Sequence, residues 1–271
     1  MHRFLLTGCG SGIGRHLAAR LAVQGERVCA TDINRQALEA LRDELGAPGN
    51  LRIDSLDVRD PLAWEALIAS LEAEWGGLDV VMNIAGYLKP GYIHEELAEE
   101  VHRHFDINTK GVVFGTQAAA RQMLRQGHGH IINIASLAGI TPVPGLSLYS
   151  ASKFAVRGYT LSAAMDLLPR GIKVTVVCPD AVQTPMLDLQ VDYEQAALTF
   201  SGPRALTVDD VADAILKRAL VKAPVEIMLP GSRGWTAKFS SAFPSLTGGV
   251  LKLLRSRGLK AQQDRQKTVR H

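Results

Sequence analysis

Short apolar runs alternate along the chain with longer stretches in which apolar residues recur every three or four positions. Residues 4–7 form the first short run, which predicts a buried strand, and residues 13–24 carry the helical spacing that follows it. The same alternation predicts further strands over 27–31, 51–54, 80–83, 130–135, 173–177 and 225–228. Helices are predicted over 35–45, 60–75, 97–126, 149–168 and 207–219. Thr207 with Asp210 three residues on resembles a capping box that lacks its usual Glu. This βαβ rhythm predicts a parallel sheet covered by helices on both faces. Right-handed crossovers make it a doubly wound, Rossmann-like sheet of about seven strands in a single α/β domain.

The first strand runs into Thr7-Gly8-Cys9-Gly10-Ser11-Gly12-Ile13-Gly14 and then a helix. Glycines there let the backbone turn tightly and approach a pyrophosphate, which the helix N-terminus attracts. A glycine-rich turn in this strand–turn–helix context predicts a dinucleotide site. Asp32 ends the second strand, where a carboxylate accepts hydrogen bonds from the adenosine ribose and repels a 2′-phosphate. That favours NAD over NADP, and Ile33, which follows, is not a base; Arg35 nearby works against the preference.

Tyr149 and Lys153 stand four apart at the start of a predicted helix and therefore on one face. A cation beside a phenol favours the phenolate, and a tuned phenol passes protons to and from a substrate oxygen. Ser136 follows a strand and so sits at the carboxyl edge of the sheet, where doubly wound folds bind ligands.

With these residues in place the sequence resembles the short-chain dehydrogenase/reductase family over residues 3–230. The glycine pattern matches at Gly8, Ser11, Gly12, Ile13 and Gly14. Asp57 and Val58 match the pair that contacts adenine. Asn83-Ile84-Ala85-Gly86 matches the family's Asn-Asn-Ala-Gly, with Ile84 in place of the second Asn. Asn108, Ser136, Tyr149 and Lys153 match the catalytic tetrad, and Pro179, Val182 and Thr184 match a stretch that touches the nicotinamide. The resemblance implies hydride transfer with NAD, Tyr149 as general acid/base and Lys153 on the nicotinamide ribose. It also implies Ser136 on the substrate oxygen and Asn108 holding a relay water. Asp180 departs from the pattern, standing where the family has Gly after Pro179. The match also implies a homodimer or homotetramer built on the helices over 97–126 and 149–168.

Residues 185–203 occupy the position of the family's variable substrate lid. They carry Met186, Leu187, Leu189, Val191, Tyr193, Leu198 and Phe200, with Asp188, Asp192 and Glu194 interspersed. As a helix or two they would turn an apolar face to the pocket, joined by Leu137, Leu146 and Tyr87. The expected substrate is a hydrophobic secondary alcohol or ketone, lipid-like or alicyclic. The competing class is a non-catalytic NAD-binding sensor or scaffold, which would ordinarily have lost Tyr or Lys. An epimerase or dehydratase of the extended relatives would be longer, with a differently spaced glycine motif.

Composition refines rather than changes this reading. The chain has 271 residues, which suits one α/β domain with a tail. Formal charge is +3, yet residues 234–271 hold eight Lys and Arg against Asp264 alone, so the tail is +7 and the rest −4. The expected organisation is a dinucleotide-binding and catalytic domain over 1–233, ending in a turn-rich stretch at 231–234, and a basic, partly apolar extension over 234–271. Gly248 and Gly249 should break any helix before them, and a short amphipathic helix is predicted from Val250. A cover over the pocket or a subunit contact ranks above a membrane-surface anchor as its role, against a solvated, frayed end. No apolar run is long enough to span a bilayer, and no leader is visible. Cys9, Cys29 and Cys178 fit neither a disulfide framework nor a zinc site, which predicts a reduced, cytoplasmic setting. His94, His102, His104, His128 and His130 make no metal set, and nothing predicts nucleic-acid readout.

Overall fold

A computed structural model describes residues 1–246 and 248–269. Arg270 of the basic tail, and the side chains of Leu246, Val250, Leu251 and Lys267, lie outside the described residues. The chain begins β1 (Arg3–Thr7), α1 (Gly12–Val23), β2 (Arg27–Asp32), α2 (Arg35–Glu44), β3 (Leu51–Ser55), α3 (Pro61–Trp75) and β4 (Val80–Asn83). It continues with α4 (Ala98–His104), α5 (Gly111–Gln126), β5 (Gly129–Ile134), α6 (Ser147–Leu167) and β6 (Ile172–Pro179). Then come α7 (Pro185–Asp188), α8 (Val208–Ala214), α9 (Leu220–Lys222), β7 (Glu226–Leu229), α10 (Gly231–Ala242) and α11 (Gly248–Val269).

All seven strands pair in parallel, in the order β3-β2-β1-β4-β5-β6-β7. The order reverses between β1 and β4, which opens a crevice at the carboxyl ends of those strands. Strand alternation divides the core. Phe4 and Leu6 face one layer with Leu17, Val28, Ile132 and Val211, while Leu5 faces the other with Trp64, Leu71, Val81 and Met123. Burial on both faces is why these strands read as continuous apolar runs.

The helix ends follow local chemistry. Asp60 caps α3, its carboxylate accepting from the N–H groups of Leu62 (2.8 Å) and Ala63 (3.2 Å), and Pro61 takes the first turn. Thr207 and Asp210 form a reciprocal capping box, so Asp does the work of the usual Glu.

Three expectations change. The stretch expected as one helix over 97–126 is α4 and α5 joined by a π-helical turn, Phe105–Lys110, which carries Asn108. The helix expected over 207–219 widens into a π turn at Ile215–Ala219 and runs on to Lys222. Residues 231–234 are not a turn but open α10, because Gly234 lets the helix lie against the Met228 side chain of β7, where a Cβ would collide. Ala237 of α10 is buried with Val112, Ala135 and Val176.

The tail carries a long helix, α11, beginning at the glycine pair. It lies along the single 3-10 stretch Glu194–Ser201 of the lid. Gly258 permits the contact, since a Cβ there would strike the Ala197 carbonyl. The opposed charges of tail and body meet here. Arg265 pairs with Asp188 at 2.8 Å, Arg255 approaches Glu194 at 3.6 Å, and Gln266 donates to Asp192 at 2.7 Å. The Gln262 amide donates to the carbonyls of Gln190 (2.8 Å) and Tyr193 (2.7 Å). The acids in the lid are thus its seam to α11.

No helix among the described residues is long and apolar enough to cross a membrane. No cluster of metal-ligating side chains occurs among them, and all three cysteines are free and buried.

Candidate active site

A single cavity of about 1200 Å³ runs along the carboxyl edge of the sheet, from Asp32 and Asp57 at one end to the lid at the other. Its first wall is the glycine turn. Thr7 closes β1, and its hydroxyl accepts from the N–H groups of Ile84 (2.9 Å) and Ala85 (3.1 Å), tying the turn to the segment after β4. Gly8 has φ +71°, and a Cβ on it would lie 2.8 Å from Ala85 Cα, so both conformation and contact require glycine. A Cβ on Gly14 would strike the Gly8 carbonyl, so glycine also brings α1 down onto the turn. Ser11 precedes α1 in extended geometry, and its side chain caps none of the helix N–H groups. Those donors remain for an anion.

Asp32 ends β2 with its carboxylate accepting from Gly10 N–H (2.8 Å) and Asn34 N–H (2.9 Å). Arg35, Arg59 and Arg15 are each paired with another carboxylate. Arg35 meets Glu39 at 3.0 Å, Arg59 meets Asp57 at 2.7 Å, and Arg15 meets Glu44 at 2.6 Å. Arg59 holds the Asp57 carboxyl below its usual range.

At the other end, Ser136 caps a short 3-10 turn, Leu137–Gly139, accepting from Ala138 N–H at 3.1 Å. Its hydroxyl donates to the Pro179 carbonyl at 3.3 Å. Tyr149 and Lys153 project from α6, with Lys153 Nζ 5.7 Å from the phenol ring centroid. The ammonium donates to the Ile134 carbonyl at 2.9 Å. Burial pushes the Tyr149 phenol up to about 12, against the opposing Ser136 hydrogen bond. Burial lowers Lys153 to about 8. Desolvation of two neighbouring buried groups favours the neutral form of each.

The predicted residues do not all reach the cavity. Gly8, Ser11, Gly12, Ile13, Gly14, Asp32, Asp57, Val58, Ala85, Gly86, Ser136, Tyr149, Lys153, Pro179, Val182 and Thr184 line it. Asn83 lies behind the wall, donating to Asn133 Oδ1 at 2.8 Å in a buried network with Thr116 and Thr160. Asn108 is also fully buried. Its amide donates to the Tyr87 carbonyl and to Ser152 Oγ, both at 2.9 Å, and accepts from Tyr87 N–H at 2.7 Å. Ser152 in turn donates to the Tyr149 carbonyl at 2.7 Å, so Asn108 braces α6 beneath the phenol.

The substrate end is apolar, walled by Leu137, Leu146, Tyr87, Met186, Leu187 and Leu198. Leu189 and Tyr193 turn to the surface instead. Sequence reading missed Arg233, Pro244 and Leu254, which reach the cavity from the tail side of β7. The Arg233 guanidinium pairs with Asp180, Nε to Oδ2 2.6 Å. An Asp at a glycine position was the available signal, but only the fold joins it to Arg233.

The profile of the short chain dehydrogenase family matches residues 3–194. The chain is 36% identical over 229 residues to the NADP-dependent 3-hydroxy acid dehydrogenase YdfG of Escherichia coli K12, covering 82% of this chain and 91% of that one. It is 34% identical over 183 residues to the 2,5-dichloro-2,5-cyclohexadiene-1,4-diol dehydrogenase LinX of Sphingobium indicum, covering 67% and 73%. A short-chain dehydrogenase/reductase from Burkholderia phymatum, solved with NAD, superposes with a TM-score of 0.80 at 26% identity over 91% of this chain and 95% of that one.

Proposed function

The chain belongs to the short-chain dehydrogenase/reductase family of oxidoreductases, and within it we propose an NAD(H)-dependent enzyme that interconverts a hydrophobic secondary alcohol and its ketone. The observation that carries this reading is the convergence of Ser136, Tyr149 and Lys153 on the apolar end of a cavity whose far end is closed by Asp32.

The residues present fit a dinucleotide. Ser11 leaves the N–H groups at the start of α1 uncapped beside the cavity, whose lining runs from Asp32 to Tyr149. The cofactor would supply or accept the hydride. Tyr149 gives its hydroxyl proton to the substrate oxygen in reduction and takes it back in oxidation. Ser136 donates a hydrogen bond to the same oxygen and orients it. Lys153 would hold the ribose hydroxyls, and when protonated it favours the phenolate. Asn108 has its amide fully engaged, so we assign it to bracing α6 and the Tyr87 backbone rather than to binding a relay water through its side chain.

Support for NAD is electrostatic. The Asp32 carboxylate at the end of β2 would repel a 2′-phosphate, and Arg35, Arg59 and Arg15 are each engaged by another carboxylate. The relatives divide, YdfG being NADP-dependent and the Burkholderia protein holding NAD, so this chain's own residues carry the argument. For the substrate, the apolar walls favour a lipid-like or alicyclic compound, and LinX is named for a cyclic diol.

Residues 1–233 would bind cofactor and carry the chemistry, and 234–271 would cover the pocket. A homodimer or homotetramer is part of the proposal, supported by the exposed Leu124, Met165 and Leu168 at α5 and α6. So is a cytoplasmic setting, supported by three unpaired, buried cysteines. The test is a panel of alcohols and ketones assayed with NAD(H) and NADP(H) in parallel. A clear NADP preference, or no turnover across the panel, overturns it.

A further inference from the structure

The substrate end of the cavity holds an ion pair that the transfer of a proton and a hydride leaves unused. Asp180 follows Pro179, whose carbonyl faces the Ser136 hydroxyl at 3.3 Å. Its own N–H donates to the Leu229 carbonyl at 2.8 Å, which fixes it between the ends of β6 and β7. Arg233 stands in the first turn of α10 and reaches back to the Asp180 carboxylate at 2.6 Å. Both side chains line the cavity, and the Asp180 carboxylate is largely buried. Arg233 also fills the space beside Gly202, where a Cβ would lie 2.7 Å from Nη1.

An arginine at the mouth of a substrate pocket is the usual reader of a carboxylate, because its planar fork matches two carboxylate oxygens. Here the protein supplies that carboxylate itself. We propose that Asp180 is an internal carboxylate that occupies Arg233 and makes the pocket discriminate against acid-bearing substrates in favour of neutral alcohols and ketones. This rests on the reading of the site as an alcohol/ketone oxidoreductase and names the substrate class more narrowly. A substrate carboxylate entering the apolar end would meet the Asp180 charge in a site with little water, and the guanidinium that could offset it is already engaged. Removing the Asp180 charge alone frees Arg233 as an anion site. Removing both charges returns the pocket to neutrality.

The test measures binding rather than turnover. Octan-2-one and octanoate are titrated by calorimetry into the NAD+-loaded protein, which has no hydride to give the ketone, and into its Asp180→Asn variant and the Asp180→Asn/Arg233→Gln double variant in the same form, each confirmed folded by thermal melting. The native protein should bind octan-2-one at least about tenfold more tightly than octanoate, and Asp180→Asn should shift that ratio at least about tenfold toward octanoate. The double variant should lose the shift. Octanoate bound as tightly as the ketone by the native protein would show Arg233 reading a substrate acid, and would overturn the proposal. So would an unchanged ratio in Asp180→Asn, or a shift that persists without Arg233. A protein that shows the expected binding ratios and yet turns over no alcohol or ketone would fell the catalytic reading and leave this one standing.

Discussion

Tyr149 and Lys153 stand one turn apart on α6, with the ammonium 5.7 Å from the phenol ring centroid, and burial drives both toward neutrality, to about 12 and about 8. A lysine whose pKa is lower in the fold than in the unfolded chain destabilises the fold at neutral pH. The penalty is complete below pH 8 and disappears as pH rises toward 10.5, the unfolded value. Replacing Lys153 by Met should therefore raise stability at pH 7, by up to roughly 3 kcal/mol less the lost bond to Ile134. It should also lower turnover by about a hundredfold or more. Thermal melting and steady-state kinetics on one preparation check the pair of effects. A fall in melting temperature would contradict the electrostatic account.

Asp32 has two tasks, and its replacement should separate them. The carboxylate favours NAD and also holds Gly10 and Asn34 by their N–H groups. Asp32→Ser should raise the ratio of kcat/KM for NADP(H) over NAD(H) by about tenfold or more, as one removed repulsion of 1–3 kcal/mol would. It should also reduce stability, because one serine oxygen cannot span both donors.

His130 predicts the acid limb of stability. Thr175 Oγ1 donates to the Pro224 carbonyl at 2.7 Å, so it accepts from His130 Nε2–H at 2.9 Å, and the imidazole is neutral. Burial, with Lys173 nearby, lowers its pKa from 6.5 to about 4. Between those values the unfolded chain binds the extra proton, so stability should fall as pH drops from 6.5 to 4, by roughly 3 kcal/mol in total. Denaturant titrations across that range check it, and His130→Gln should flatten the slope.

The lid seam predicts a substrate effect without a cofactor effect. Gly258→Val would force α11 off the Ala197 carbonyl. KM for a hydrophobic ketone should rise about tenfold, while KM for NADH stays within about twofold, since the seam is at the lid and not at Asp32. Equal changes in both would indicate general unfolding.

The central strands were legible because they are buried on both faces, and the cofactor turn because Gly8 needs a positive φ and Gly14 packs on the Gly8 carbonyl. The bracing role proposed for Asn108 left no mark in the sequence. Sequence places it in a helix, but the π turn that aims its amide at the Tyr87 backbone depends on packing against α6. Asn83 matched a motif yet points into the core, because its partner Asn133 lies on the neighbouring strand in register with it. The tail was opaque for a related reason. Its charge was visible, but nothing in the sequence tied Asp188, Asp192 and Glu194 to α11. Pairings between segments some 70 residues apart leave no local signature.

The most direct test of the account is kcat/KM for a neutral hydrophobic ketone such as octan-2-one with NADH and with NADPH, in the native protein and in Tyr149→Phe. The account predicts a preference for NADH and a loss of turnover of roughly a thousandfold in the variant, with NADH binding retained. A preference for NADPH, or turnover in Tyr149→Phe close to that of the native protein, would contradict it.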